Sequence, residues 1–151
     1  MITIEANADG LSRASLERFI RSAQRAAGVT GSVDVLIARN PALRALNRRF
    51  RGKDRSTDVL SFPAAEALPR PTRAGDIAIS LDIAAENAAR LGHSVAEEVK
   101  VLLLHGVLHL AGYDHENDSG EMAARELQLR RKLKLPSSLT ERATPARRQT
   151  P

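Results

Sequence analysis

Residues 2–6, "ITIEA", alternate apolar and polar side chains and predict a strand. From Ser12 the period changes. Leu16, Phe19, Ile20 and Ala23 fall at i, i+3, i+4 and i+7, which predicts an amphipathic helix over 12–27 stopped by Gly28. "SVDVLIA" (32–38) is β-branched and apolar, a second strand. Asn40 and Pro41 have the chemistry of an N-cap and a first helical residue, opening a short helix to about Phe50. A third strand is expected over "TDVLSF" (57–62). A fourth is expected over "GDIAISL" (75–81), where Ile77, Ile79 and Leu81 share a face. Between them, "PAAEALPRPTRA" (63–74) holds three prolines and reads as a loop.

Three more helices follow. Asp82 is placed to cap one that stops at Gly92. Ser94 with Glu97 has capping-box spacing, and the helix behind it runs through "VAEEVKVLLLHGVLHLA" to Gly112. "VKVLLL" makes that helix unusually apolar, so it is expected at the centre of the fold. Asp118 with Glu121 repeats the box before a last helix to about Leu135. The order βαβαβ-loop-βααα predicts an α+β fold, with a four-stranded mixed sheet packed with about five helices in one domain over 1–135. Residues 136–151 are polar, basic and proline-containing, and a disordered tail is expected there.

Composition narrows the function classes. There is no cysteine, which excludes a disulfide scaffold and a thiolate metal site and fits a reducing cytosol. "MITIEANADG" lacks a basic segment followed by an apolar one, and no apolar run nears the ~20 residues of a membrane span. A cytoplasmic protein without membrane partners is the expectation.

The net charge of +5 is unevenly placed. Residues 39–55 hold seven basic side chains (Arg39, Arg44, Arg48, Arg49, Arg51, Lys53, Arg55) against Asp54 alone. Residues 125–148 hold eight against Glu126 and Glu141, so the remainder of the chain is acidic. Clustered positive charge suits a polyanion, most simply nucleic acid. It also suits a solvated basic face. Aromatic residues make up 3% of the chain, which predicts binding through phosphates rather than base stacking.

The densest chemistry is "HGVLHLAGYDH" (105–115), which contains three of the four histidines. His105 and His109 are i and i+4, so they share one helical face and can converge on one ion. Gly112 allows a sharp turn, and His115 follows three residues later. Three neutral imidazoles suit Zn²⁺, with Ni²⁺ or Fe²⁺ as alternatives, and three protein ligands leave a fourth position open for chemistry. The spacing also matches the metzincin proteases, H-E-x-x-H-x-x-G-x-x-H, with one departure. Gly106 stands where those proteases carry the glutamate base. His93, just after Gly92, reads as a loop or cap residue.

"HGVLHLAGYDH" closely resembles the metal motif of the YbeY family of rRNA maturation factors, metal-dependent endoribonucleases. "LNRRFRGKDRSTDVLSFP" (46–63) resembles that family's second signature, with Ser56 where many members have proline. "GDIAIS" (75–80) is similar to a third block. The resemblance implies that His105, His109 and His115 bind one metal ion, and that Arg51 is the arginine of the active-site cleft. It places Asp76 in the family's G-D-[IL] block. It further implies single-strand cleavage in small-subunit rRNA 3′-end maturation and ribosome quality control. Small-subunit ribosomal proteins and an assembly GTPase are partners by the same analogy.

Elementary chemistry fits this picture. A metal ion and a guanidinium would both stabilise the charge of a phosphodiester transition state. Asp114, beside His115, could orient a ligand imidazole. Asp58 and Asp76 either line the cleft or cap turns, and Asn47 and Ser61 could donate to phosphate. Two other classes compete: a metallopeptidase on the metzincin-like spacing, and a non-catalytic assembly factor whose metal only fixes the fold.

Overall fold

The computed structural model describes residues 1–64, 72–114 and 117–136. The elements run β1 (Ile2–Ile4), α1 (Arg13–Ala27), β2 (Ser32–Ala38), α2 (Asn40–Arg51), β3 (Val59–Pro63), β4 (Arg73–Ser80), α3 (Leu81–Leu91), α4 (Val95–Leu110) and α5 (Glu121–Lys132). The strands form one mixed sheet in the order β1-β2-β4-β3. β1, β2 and β4 are parallel, and β3 runs antiparallel beside β4. The α+β, four-strand, five-helix reading of the sequence therefore holds. No described helix is long and apolar enough to cross a membrane.

Strand alternation sorts the sheet into two faces. Val35, Ile37, Val59, Ile77 and Ile79 pack with α1, α4 and α5 in the main core. Leu60 and Ala78 pack against α2 residues Leu43 and Leu46 on the opposite face. α4 lies deep in the main core: Leu102, Leu103, Leu104, Val107 and Leu108 are all fully buried. Each such side chain contributes about 1.5–3 kcal/mol of burial. This is why a helix with almost no polar face is stable here.

Several helix starts differ from the sequence reading, for tertiary reasons. Arg39, not Asn40, occupies the N-cap of α2 and makes no side-chain cap bond. The Asn40 carboxamide oxygen instead accepts the hydroxyls of Ser56 (2.8 Å) and Ser80 (2.6 Å). Ser80, not Asp82, caps α3 by accepting the Ile83 N–H. Asp82 turns outward to accept the Asn40 N–H at 2.8 Å and Arg39 at 2.7 Å. The Asn40 bond, with help from Arg39, holds the Asp82 carboxyl below the usual carboxylate range.

The Ser94–Glu97 capping box forms as expected. At α5 the N-cap is Gly120. Asp118 accepts the N–H groups of Gly120 and Met122, while Glu121 reaches Ser119, so the second box does not close. The third strand begins two residues later than expected, at Val59. The expected tail lies outside the described residues, apart from Pro136.

Candidate active site

The last turns of α4 carry the two described histidines of the cluster. Their Nε2 atoms lie 3.2 Å apart, and their rings meet edge to face with centroids 4.8 Å apart. The other nitrogen of His105, Nδ1, donates to Glu126 Oε1 of α5 at 2.8 Å. An ionised carboxylate can only accept, so Nδ1 carries the proton and the lone pair of His105 is on Nε2. Glu126 Oε2 in turn meets Arg130 at 3.1 Å, one turn further along α5. His105, Glu126 and Arg130 are all buried, and Met122 and Leu129 seat the same face of α5 in the core. A buried carboxylate is tolerable because it is paired on both oxygens.

Two imidazole nitrogens at 3.2 Å are close enough to share one proton or one cation. Tetrahedral zinc with Zn–N bonds of about 2.0–2.1 Å puts its ligand nitrogens roughly 3.3 Å apart. The donor set therefore fits a metal: two convergent imidazoles, one of them fixed in the ligating tautomer by a carboxylate. His115 lies outside the described residues. Among the described residues no group of three or more potential ligands is gathered.

Gly106 sits against the sheet. A Cβ there would stand 3.0 Å from two Ile77 side-chain atoms and 3.1 Å from Ser61 Oγ. The glutamate base of a metzincin would thus start toward packed sheet rather than open space. Gly75, at φ 151°, is under a stricter constraint, since a Cβ there would collide with the Phe62 carbonyl oxygen and stand 2.7 Å from Leu110. The absence of these two side chains lets β3, β4 and the end of α4 come together.

The Ser61 hydroxyl donates to Gly106 O at 3.2 Å. The carbonyl of Ser61 accepts Arg51 Nη2 at 2.6 Å. Even-numbered residues of β3 bond toward β4, as Ser80 N–H to Asp58 O and Ala64 N–H to Ala74 O show at the two ends. Ser61 therefore presents its carbonyl to the outer edge of the sheet, where Arg51 takes it from the end of α2. Two hydrogen bonds link the Arg51 guanidinium to the backbone next to His105.

Other expected residues have different employment. Asp76 projects from the α2 face of the sheet, opposite α4, and pairs with Arg73 at 2.8 Å, so it is not brought to the histidine pair. Asp58 is buried and accepts the N–H of Val59 at 2.8 Å. Asn47 is buried and donates to Arg55 O, tying down the loop after α2. Asp114 lies in the turn after α4 and accepts from the Asn117 side chain. His93 is tucked against Glu98, Nε2 to Oε1 at 2.7 Å, and joins α4 to the end of α3.

Glu126 and Arg130 were not singled out from the sequence. Their signal was there: Met122, Glu126, Leu129 and Arg130 fall at i, i+4, i+7 and i+8, so two charged residues occupy core positions of α5.

The family profile described as Endoribonuclease YbeY matches residues 2–134. The chain belongs to the YbeY endoribonuclease family. The Endoribonuclease YbeY of Koribacter versatilis is 58% identical over 144 residues, covering 95% of this chain and 92% of that one. That of Solibacter usitatus is 47% identical over 132 residues, covering 87% and 86%. The solution structure of TM1509 from Thermotoga maritima superposes with a TM-score of 0.57 at 28% identity, over 99% of this chain and 97% of that one. The YbeY match spans every element described above.

Proposed function

We propose that this chain is a metal-dependent single-strand endoribonuclease acting in rRNA maturation, at the 3′ end of small-subunit rRNA, and in ribosome quality control. The observation that carries the reading is the convergence of His105 and His109 Nε2 at 3.2 Å, with Glu126 fixing the ligating tautomer, in a chain of the YbeY family. His105, His109 and His115 would hold one Zn²⁺, with Ni²⁺ or Fe²⁺ as the alternatives. The ion would supply Lewis-acid polarisation of a phosphoryl oxygen.

The chain's own residues have separable tasks. Glu126 keeps the Nδ1 proton of His105 and orients its ring. Arg51 spends one N–H on Ser61 and keeps the rest of its guanidinium for a phosphate of the RNA. Asp114 is assigned to orienting His115. The surrounding arginines of α2 draw the RNA in. A cytoplasmic location and contact with small-subunit ribosomal proteins and an assembly GTPase go with this reading.

The peptidase alternative lacks both its base and room for one at Gly106. The test is cleavage of precursor rRNA by wild type beside His109→Ala and Arg51→Glu, prepared identically and with chelator controls. Cleavage by wild type alone is expected. Equal cleavage by all three would mean a contaminant and would overturn the proposal. Arg51→Glu should retain its metal, which separates its role from that of His109.

A further inference from the structure

Sequence composition pointed to phosphate contacts alone, because aromatics are scarce. The fold changes this by gathering two of the three phenylalanines at one surface. Phe50, from the last turn of α2, is 56% exposed. Its ring meets that of Phe62 on β3, with centroids 5.3 Å apart and planes at 58°. Two guanidinium groups lie over these rings: Arg49 at 5.1 Å from the Phe50 centroid and Arg51 at 5.5 Å from that of Phe62.

The aromatic pair walls a cavity of about 450 Å³ on the α2 face of the sheet, opposite the histidines. Leu36, Leu46 and Ala78 also line it. Its volume falls within the range of about 300–1,000 Å³ typical of small-molecule pockets. Asp34 and Asp76, directly opposed in the β2–β4 register, complete the wall and are held by the N-terminal amine and Arg73.

We propose that this cavity takes an unpaired nucleobase of the RNA, stacked on Phe50 and Phe62, while Arg49 and Arg51 at the rim hold the flanking phosphates. The argument is one of complementary chemistry. Aromatic faces with guanidinium groups alongside recognise splayed single-stranded bases. The carboxylates repel phosphate but can accept from the exocyclic amines of a base. Guanidinium groups beside the two rings and carboxylates in the cavity wall suit a nucleotide entering base first. Arg49 has no carboxylate partner among the described residues, which leaves its guanidinium to a phosphate. Arg51 contacts both faces of the arrangement: it lies over Phe62 and is bonded at the β3 edge toward α4. An RNA strand crossing that edge would run from the cavity to the histidine pair. The inference rests on the ribonuclease reading and adds a base subsite to it.

The experiment uses an end-labelled single-stranded RNA of about ten nucleotides, and an oligomer of the same phosphate count with abasic positions. Binding of each is measured by fluorescence anisotropy, with chelator present to prevent cleavage. Phe50→Ala should weaken RNA binding at least about 5-fold, the effect of losing one stacked base, and should leave binding of the abasic oligomer unchanged. Phe50→Trp should bind RNA like wild type, with indole emission quenched by RNA but not by the abasic oligomer. Equal RNA affinity in wild type and Phe50→Ala overturns the proposal. Equal losses for both oligomers overturn it as well. Wild type that cleaves precursor rRNA while Phe50→Ala binds normally sinks only this inference. Phe50-dependent binding without any cleavage sinks only the nuclease reading.

Discussion

Glu126 accepts the Nδ1 proton of His105 at 2.8 Å, and so decides from another helix which nitrogen of that ring is free. Glu126→Gln keeps the shape and removes the charge. It should lower metal affinity about 10- to 100-fold, the usual effect of losing the carboxylate behind a ligating imidazole. Competition against a chromophoric chelator measures this. Glu126→Ala should do more, because Arg130 is fully buried beside it. Leaving that guanidinium without its carboxylate should cost about 3–5 kcal/mol of stability, read by urea unfolding.

His109→Ala should abolish stoichiometric metal while leaving the fold in place. His109 is only partly buried, and the apolar core of α4 lies ahead of it. Elemental analysis of purified protein checks the first part and thermal melting the second. One full metal equivalent per chain in this variant would reject the site.

Gly106→Ala tests the contact between α4 and the sheet. Alanine favours a helix by up to ~1 kcal/mol over glycine. Here its methyl group would press on Ile77, which is itself buried in the core. Overpacking of this kind costs about 1–3 kcal/mol, so a net loss of stability is expected rather than the usual gain. A more stable Gly106→Ala protein would show that the approach is looser than described.

Asp82 gives a pH signature. Its folded pKa is lowered, so the stability it contributes is fully present above the ordinary carboxylate pKa and is lost as pH falls through the folded value. Asp82→Asn should cost on the order of 1 kcal/mol at neutral pH. The melting temperatures of variant and wild type should converge below about pH 4. A gap that stays constant from neutral to acid pH would assign the effect to something other than the charge.

Much of this was legible in the chain because periodicity survives folding. Ile77 and Ile79 share a face in the sequence, and they share one in the sheet. What periodicity misses is competition for the same polar group. Asn40 and Asp82 both look like caps in one dimension. In three, Asn40 receives two hydroxyls and Asp82 receives Asn40, so the caps pass to their neighbours. The histidine pair was legible because i and i+4 spacing is local to one helix. Glu126 was not, because its partner is 21 residues away on another helix and a glutamate in a polar helix normally faces water. Phe50 was hidden by an average: a scarce residue type can still be concentrated at one place.

Among the described residues β3 is an edge strand. An edge strand whose outward groups are free invites another strand to pair with it. Three outward positions here are already spoken for: the Val59 N–H is taken by Asp58, the Ser61 carbonyl by Arg51, and Pro63 has no N–H to offer. The same arginine proposed to greet the substrate would therefore hinder neighbouring molecules from adding to the sheet. Solubility and the proposed activity would then share a residue, and loss of Arg51 should bring slow self-association along with loss of function.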